Sequence, residues 1–342
     1  VVAGAQVQAA TRRVGRLVGQ REKRSQSGRF SVESKGNYTS SQMMTKPFSR
    51  REFLLMLPVG ASLFYPSPAQ QFISSNGYNW ITFYQRAGKV WGQDWDACIQ
   101  DYARSGLKAL EPSIGHVDDL NKLIPALKKY DISLPSIYVG SILHEAKEAD
   151  LSIQRILAIA DRLKSEGTNI FVTNPSPLKN GARKSDAELA CQVEKLNILG
   201  SQLNQRGITL AYHTHDVEFR ESAREFHYVL QHTKPENLAF CMDVHWVYRG
   251  SGNSEETVFD ILKTYGNRIV ALHIRQSENG IWTETFSGKG DIDYVRFAKE
   301  LKKQKIKPHL VIEQCLEAKT VQTMDAAQAH AIDLKVVKAL FN

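Results

Sequence analysis

Metal-ligating side chains recur at the ends of short apolar runs in the second half of this 342-residue chain. Leu210-Ala-Tyr-His-Thr-His-Asp-Val-Glu-Phe219 carries His213 and His215 two apart. Leu238-Ala-Phe-Cys-Met-Asp-Val-His-Trp246 carries Asp243 and His245 at the same spacing, and Ile269-Val-Ala-Leu-His-Ile-Arg275 carries His273 and Arg275. His309-Leu-Val-Ile-Glu313 ends in Glu313, and Leu107-Lys-Ala-Leu-Glu111 ends in Glu111. On a strand, residues two apart point to the same face, so each pair is expected to aim one way. Nitrogen and oxygen donors on separate rigid strands suit one divalent ion with open coordination positions. The expected ligands are His213 (or its neighbour His215), Asp243, His273 and Glu313. Imidazole with carboxylate fits manganese, zinc, cobalt, iron or magnesium, and the spacing does not choose among them.

Such ends must be held at one height, and the rest of the chain supplies a framework for that. Apolar strand-like runs are expected at 79–84, 107–111, 132–139, 168–173, 210–219, 237–243, 268–275 and 308–314. Helical stretches separate them, at about 94–105, 118–130, 144–165, 186–205, 221–232, 255–265 and 291–303, with a closing amphipathic helix at about 322–339. Asp291 is the expected cap of the helix that follows it. Gly106, Gly167 and Gly207 sit where helices must stop before strands begin. Eight strand–helix units in roughly 270 residues match one (β/α)8 TIM barrel, a single α/β domain whose active site lies at the C-terminal ends of the strands. An open doubly wound sheet would want a glycine-rich phosphate loop after its first strand, and the sequence has none there. Asn174-Pro-Ser-Pro177 reads as a loop over the barrel mouth, with Asn174 as a candidate substrate contact.

The formal charge of +8 is concentrated at one end. Residues 1–51 hold 11 Lys/Arg and 2 Asp/Glu, whereas the rest hold 33 basic and 34 acidic groups. The expected barrel is therefore near neutral and lacks the basic face that a nucleic-acid partner requires. Cys98, Cys191, Cys241 and Cys315 show no CxxC spacing, which argues against a zinc ribbon or a disulfide framework. Residues 1–42 are rich in Arg, Gln, Ser and Gly without periodicity; they read as disorder or as a spurious extension, Met43 or Met44 being a more natural start. Residues 43–69 read as an export signal. A twin-arginine pair, Arg50-Arg51, precedes the apolar run 53–64, and Ser67-Pro-Ala69 ends it. The run is too short for a permanent membrane anchor. The expected location is periplasmic or otherwise extracytoplasmic, and the expected barrel covers 70–342.

From about residue 79 onward the chain resembles the xylose isomerase-like TIM-barrel superfamily, the sugar phosphate isomerase/epimerase group. LAYHTHDVEF, CMDVHW, LHIR and the Gly-x-Gly-Asp-Ile-Asp run at 288–293 carry the resemblance and look like an exported bacterial branch. The family's pattern places one ligand at the end of each of strands five to eight, commonly Glu, Asp, His and Glu. Asp243, His273 and Glu313 match the last three; His213 stands where the family has glutamate.

The resemblance implies a divalent-metal-dependent isomerase or epimerase acting next to the carbonyl of a small carbohydrate through an enediolate. Glu313 is the expected ligand and proton carrier, His215 (or His213) the second acid/base, and Arg275 the group that steadies an anionic oxygen. Glu111, Asn174, His245, Trp246 and Trp282 are the expected substrate contacts. Loss of a neighbouring oxygen after proton removal would instead make a carbon–oxygen lyase or dehydratase acting on keto-sugars or 3-keto-glycosides. A non-catalytic sugar-binding barrel is a further alternative of another class. A metal-dependent endonuclease of the same fold would need more ligands and a basic face. Barrels of this kind are also compatible with a homo-oligomer.

Overall fold

The computed structural model describes residues 73–341; the segments expected to be disordered (1–42) and to form an export signal (43–69) lie outside the described residues. Eight parallel strands run β1 (Ile73–Asn76), β2 (Ala109–Glu111), β3 (Ser136–Tyr138), β4 (Ile170–Thr173), β5 (Thr209–Tyr212), β6 (Ala239–Asp243), β7 (Ile269–Ile274) and β8 (His309–Ile312). They pair in the order β2-β1-β8-β7-β6-β5-β4-β3, with helices between them. The circle is completed at a thin seam between β2 and β3. There, isolated bridges join Ala109 to Ser133 and Ser113 to Tyr138, helped by backbone bonds such as Leu110 N–H to Ser133 O at 3.0 Å and Tyr138 N–H to Pro112 O at 2.9 Å.

Parallel strands covered on both faces must bury nearly every residue, and β4 and β6 are buried throughout. Period-two alternation then divides their side chains between two cores. Ile170, Val172, Ala211, Ala239, Cys241 and Ala271 fill the barrel interior. Phe171, Leu210, Tyr212 and Phe240 belong to the larger core beneath the helices. Continuing each inward parity by one step past Ala211, Cys241, Ala271 and Val311 arrives at His213, Asp243, His273 and Glu313. Small residues below leave space for this upper layer. Strand register sets its height, since Asp243 pairs with His273 and His273 with Val311.

Three expectations are corrected. Residues 79–84 are not a strand: β1 is Ile73–Asn76, and Gly77–Arg86 is helix α1. The run NWITFY is β-branched and aromatic, but Trp80, Phe83 and Tyr84 are buried at helical spacing, and the Asn76 side chain accepts the Tyr78 N–H as an N-cap at 2.8 Å. The helix expected from Asp291 is capped by Asp293, which accepts from Arg296 N at 2.9 Å, and runs Tyr294–Lys303. Asp291 instead closes a tight turn, accepting from Asn279 N and Gly280 N. The third change follows β6. Asp243 ends the strand and accepts the Trp246 N–H at 2.7 Å, opening the short helix Val244–Gly250. His245 therefore lies on a helix and does not share a strand face with Asp243. Gly106, Gly167 and Gly207 do sit before strands with φ of +79°, +78° and +73°, conformations that favour glycine.

Candidate metal centre

Four strand ends converge. His213, Asp243, His273 and Glu313 each offer one donor atom, and these atoms all lie within 4.8 Å of one another in a buried setting. His213 Nε2 is 3.4 Å from Asp243 Oδ2 and 3.9 Å from Glu313 Oε2. Both His213 ring nitrogens and Asp243 Oδ2 are buried without a hydrogen-bond partner, which is costly in an apolar interior. Donors held about 2.0–2.2 Å from one tetrahedral ion lie roughly 3.3 Å apart, close to the His213–Asp243 separation. Two imidazoles and two carboxylates, with His213 and Asp243 each holding an unpartnered ligand atom, therefore fit a divalent cation; the donor set leaves its identity open.

Electrostatics agree with this use. Burial, aided by neighbouring His273, drives the His213 imidazole down to about 3, leaving one ring nitrogen with a free lone pair. Burial and the Glu313 charge push Asp243 up to about 7. Burial opposes ionisation of Glu313, but Arg275 and His273 outweigh it and hold the carboxyl well below its ordinary value. His273 is buried too, yet Cys241, Glu111 and Glu313 raise it well above an ordinary histidine. Its Nδ1 is 2.7 Å from Glu313 Oε2 and its Nε2 is 2.8 Å from Glu111 Oε1. Ligation of a cation by this ring accordingly releases a proton.

The remaining expected site residues fall into two groups. Arg275, 1% exposed, binds Glu313 Oε1 through Nη2 at 2.7 Å and the Glu313 carbonyl through Nε at 2.7 Å. Its guanidinium lies 4.1 Å from the Trp282 ring centre and 5.5 Å from that of Trp246. His215 packs edge-on to His213 at 5.0 Å and to Trp246 at 5.2 Å. Asn174 joins it, its Oδ1 standing 3.0 Å from His215 Nδ1. Burial and His213 lower the His215 ring to about 4, so it is neutral at pH 7.

Three expected sugar contacts take other roles. Glu111 is fully buried, with Oε1 facing Asn76 Nδ2 at 2.9 Å and His273 Nε2 at 2.8 Å and Oε2 accepting from Ser136 Oγ at 2.7 Å, so it lies in the barrel interior against His273. His245 Nε2 is bonded to Ser277 Oγ at 2.9 Å. Trp282 is 5% exposed and packs against both Arg275 and Arg249 (4.7 Å), so it backs the arginine from behind. Arg249 is in turn bound by Glu317 at 3.2 Å.

Two residues were not anticipated. Tyr78 opens α1 beside the rim, where its phenol feels burial first and then Cys315, Arg275 and Glu313, and it remains 39% exposed. A correct placement of β1 would have put it at a strand's C-terminal end. Glu218 is buried and accepts the His215 N–H at 2.7 Å; burial and Glu225 push its carboxyl up to about 7. Its signal was present in the motif itself, three residues past His215.

Fold and site together define a (β/α)8 barrel whose C-terminal rim can hold a metal ion. The chain belongs to the xylose isomerase-like TIM-barrel family, whose model matches residues 73–338. It is 23% identical over 248 residues to an inosose dehydratase of Clostridium perfringens, covering 64% of this chain and 81% of that protein. Among solved structures, it is similar to D-allulose 3-epimerase from Methylomonas sp. with D-allulose, at a TM-score of 0.61 and 14% identity over 80% of this chain and 98% of that one. A 3-keto-D-glucoside 4-epimerase from E. coli superposes with a TM-score of 0.56 at 14% identity, over 79% of this chain and all of the other. Among the described residues, no helix is long and apolar enough to cross a membrane.

Proposed function

We propose that this protein is a divalent-metal-dependent isomerase or epimerase that moves a proton next to the carbonyl of a small carbohydrate. The observation that carries the reading is the convergence of His213, Asp243, His273 and Glu313 with unpartnered donor atoms. A divalent ion bound there would polarise the carbonyl and steady the enediolate. Arg275 holds Glu313 ionised, so that its carboxylate can take a proton from the carbon beside the carbonyl. His215 is neutral and partly exposed, and it can give or accept a proton from a second direction. Trp246 and Tyr78 supply partly exposed aromatic surface for a sugar ring.

A second reading is supported by the similarity to inosose dehydratases. If a β-oxygen leaves after the proton is removed, the same groups perform carbon–oxygen lysis, with His215 protonating the departing oxygen. The experiment is a panel of keto-sugars and 3-keto-glycosides followed by NMR in heavy water with the metal-loaded protein. Interconversion with deuterium at the carbon beside the carbonyl supports the isomerase, and release of water or free aglycone supports the lyase. Sugar binding that survives chelation and Glu313→Gln, without turnover of any member, would sink both.

A further inference from the structure

The mouth-loop asparagine makes three contacts that decide which nitrogen of His215 is available. Asn174 Nδ2 stands 3.0 Å from the His213 carbonyl oxygen and 3.2 Å from Glu218 Oε1. A carbonyl oxygen can only accept, so this amide must present its N–H2 there. The reversed amide would set oxygen against oxygen at both places. Asn174 Oδ1 is thereby fixed as an acceptor toward His215 Nδ1, 3.0 Å away. The donor in that last contact must be Nδ1–H. Glu218 completes the brace, because its other oxygen accepts the His215 backbone N–H at 2.7 Å. Asn174 and Glu218 are 7% and 0% exposed, so solvent does not compete for these bonds.

We propose that Asn174, steadied by Glu218, is a positioning residue that locks His215 in the Nδ1–H form and leaves Nε2 as the nitrogen that exchanges protons with substrate. This rests on the reading of His215 as an acid/base, and it deepens that reading. It assigns Asn174, expected from sequence to touch substrate, to the histidine instead. The arrangement follows the general logic by which the hydrogen bond at one imidazole nitrogen sets the role of the other.

The test reads the tautomer directly. Full-length protein carrying 15N-labelled histidine is loaded with zinc, and the His215 signals are assigned by their loss in His215→Gln. At pH 7.5 the expected spectrum has Nδ1 protonated and Nε2 unprotonated. Asn174→Leu should let Nε2–H appear and lower kcat about 100-fold with little change in KM, the scale of a lost acid/base contribution. A wild-type ring protonated at Nε2, or bonded to zinc through Nε2, overturns the proposal even if Asn174→Leu does not fold. So does an Asn174→Leu spectrum identical to wild type. If the tautomer is as expected but no sugar turns over, the lock stands and the enzymatic reading falls; the reverse pattern with turnover does the opposite.

Discussion

Glu111 and Asp243 are both fully buried carboxylates within the same barrel, yet their surroundings drive them in opposite directions. Glu111 sits in the first half of the chain, where Asn76 and Ser136 donate to it and His273 faces it. Burial opposes its charge, but these partners hold its carboxyl below the ordinary value. Asp243 sits in the second half with one oxygen spent on a helix cap and the other bonded to nothing. It is raised to about 7 by burial and by Glu313. The contrast separates two kinds of polar residue in a barrel interior. Satisfied groups from β1 to β3 pack beneath the site, while His213 and Asp243, at the ends of β5 and β6, keep buried polar atoms without a partner.

The largest expected effect breaks the second kind. Asp243→Ala should reduce bound metal from about one ion per chain to none, measured by elemental analysis after dialysis; retained metal would refute the ligand set. Glu111→Ala removes one member of a buried pair and should cost about 3–5 kcal/mol of stability, read from urea unfolding. A loss under about 1 kcal/mol would mean that Glu111 braces nothing.

The pH dependence of the metal-free protein sharpens the contrast, because the two signs differ. Asp243 holds its proton above the unfolded value of 3.8, so its contribution is fully present below that pH and is lost as pH rises through about 7. Glu111 is depressed, so its contribution is present above the ordinary value of 4.5 and is lost as pH falls through its lower folded value. Asp243→Asn should therefore flatten the decline between about pH 4 and 7, and Glu111→Gln the acid limb below it; identical curves for both variants would remove the distinction. The smallest effect expected is at Ser136→Ala. It deletes one hydrogen bond to a carboxylate, costs about 1.5–3 kcal/mol and leaves metal stoichiometry unchanged in a titration with zinc.

Much of the second kind was legible in the sequence. An apolar run continued one step to a ligand type marks Asp243, His273 and Glu313 without any structure, whereas on β5 the two-apart spacing left His213 and His215 both open, and only the converging geometry selects His213. The first kind was harder to read. Strand β1 carries Ser74, Ser75 and Asn76, and three polar residues in four hide a buried strand whose side chains are satisfied by distant partners, such as Ser74 Oγ with His309 Nε2 at 2.9 Å. His245 was misplaced because a period-two pattern continued on paper after Asp243 had capped a helix. Glu111 was seen, but its role depends on atoms from β1, β3 and β7 at once, and no local pattern encodes a contact of that kind.

The thin seam between β2 and β3 has a consequence for dynamics. Glu111 on β2 is bonded to Ser136 on β3 and to His273 on β7, so one carboxylate latches the weakest join in the sheet to the site itself. Breathing of the barrel at that join must strain the ligand ring, and a cation that fixes the ring should slow the breathing. Amide hydrogen exchange at Leu110, Ile114 and Tyr138 would thus report occupancy of a centre to which none of those three residues contributes a ligand.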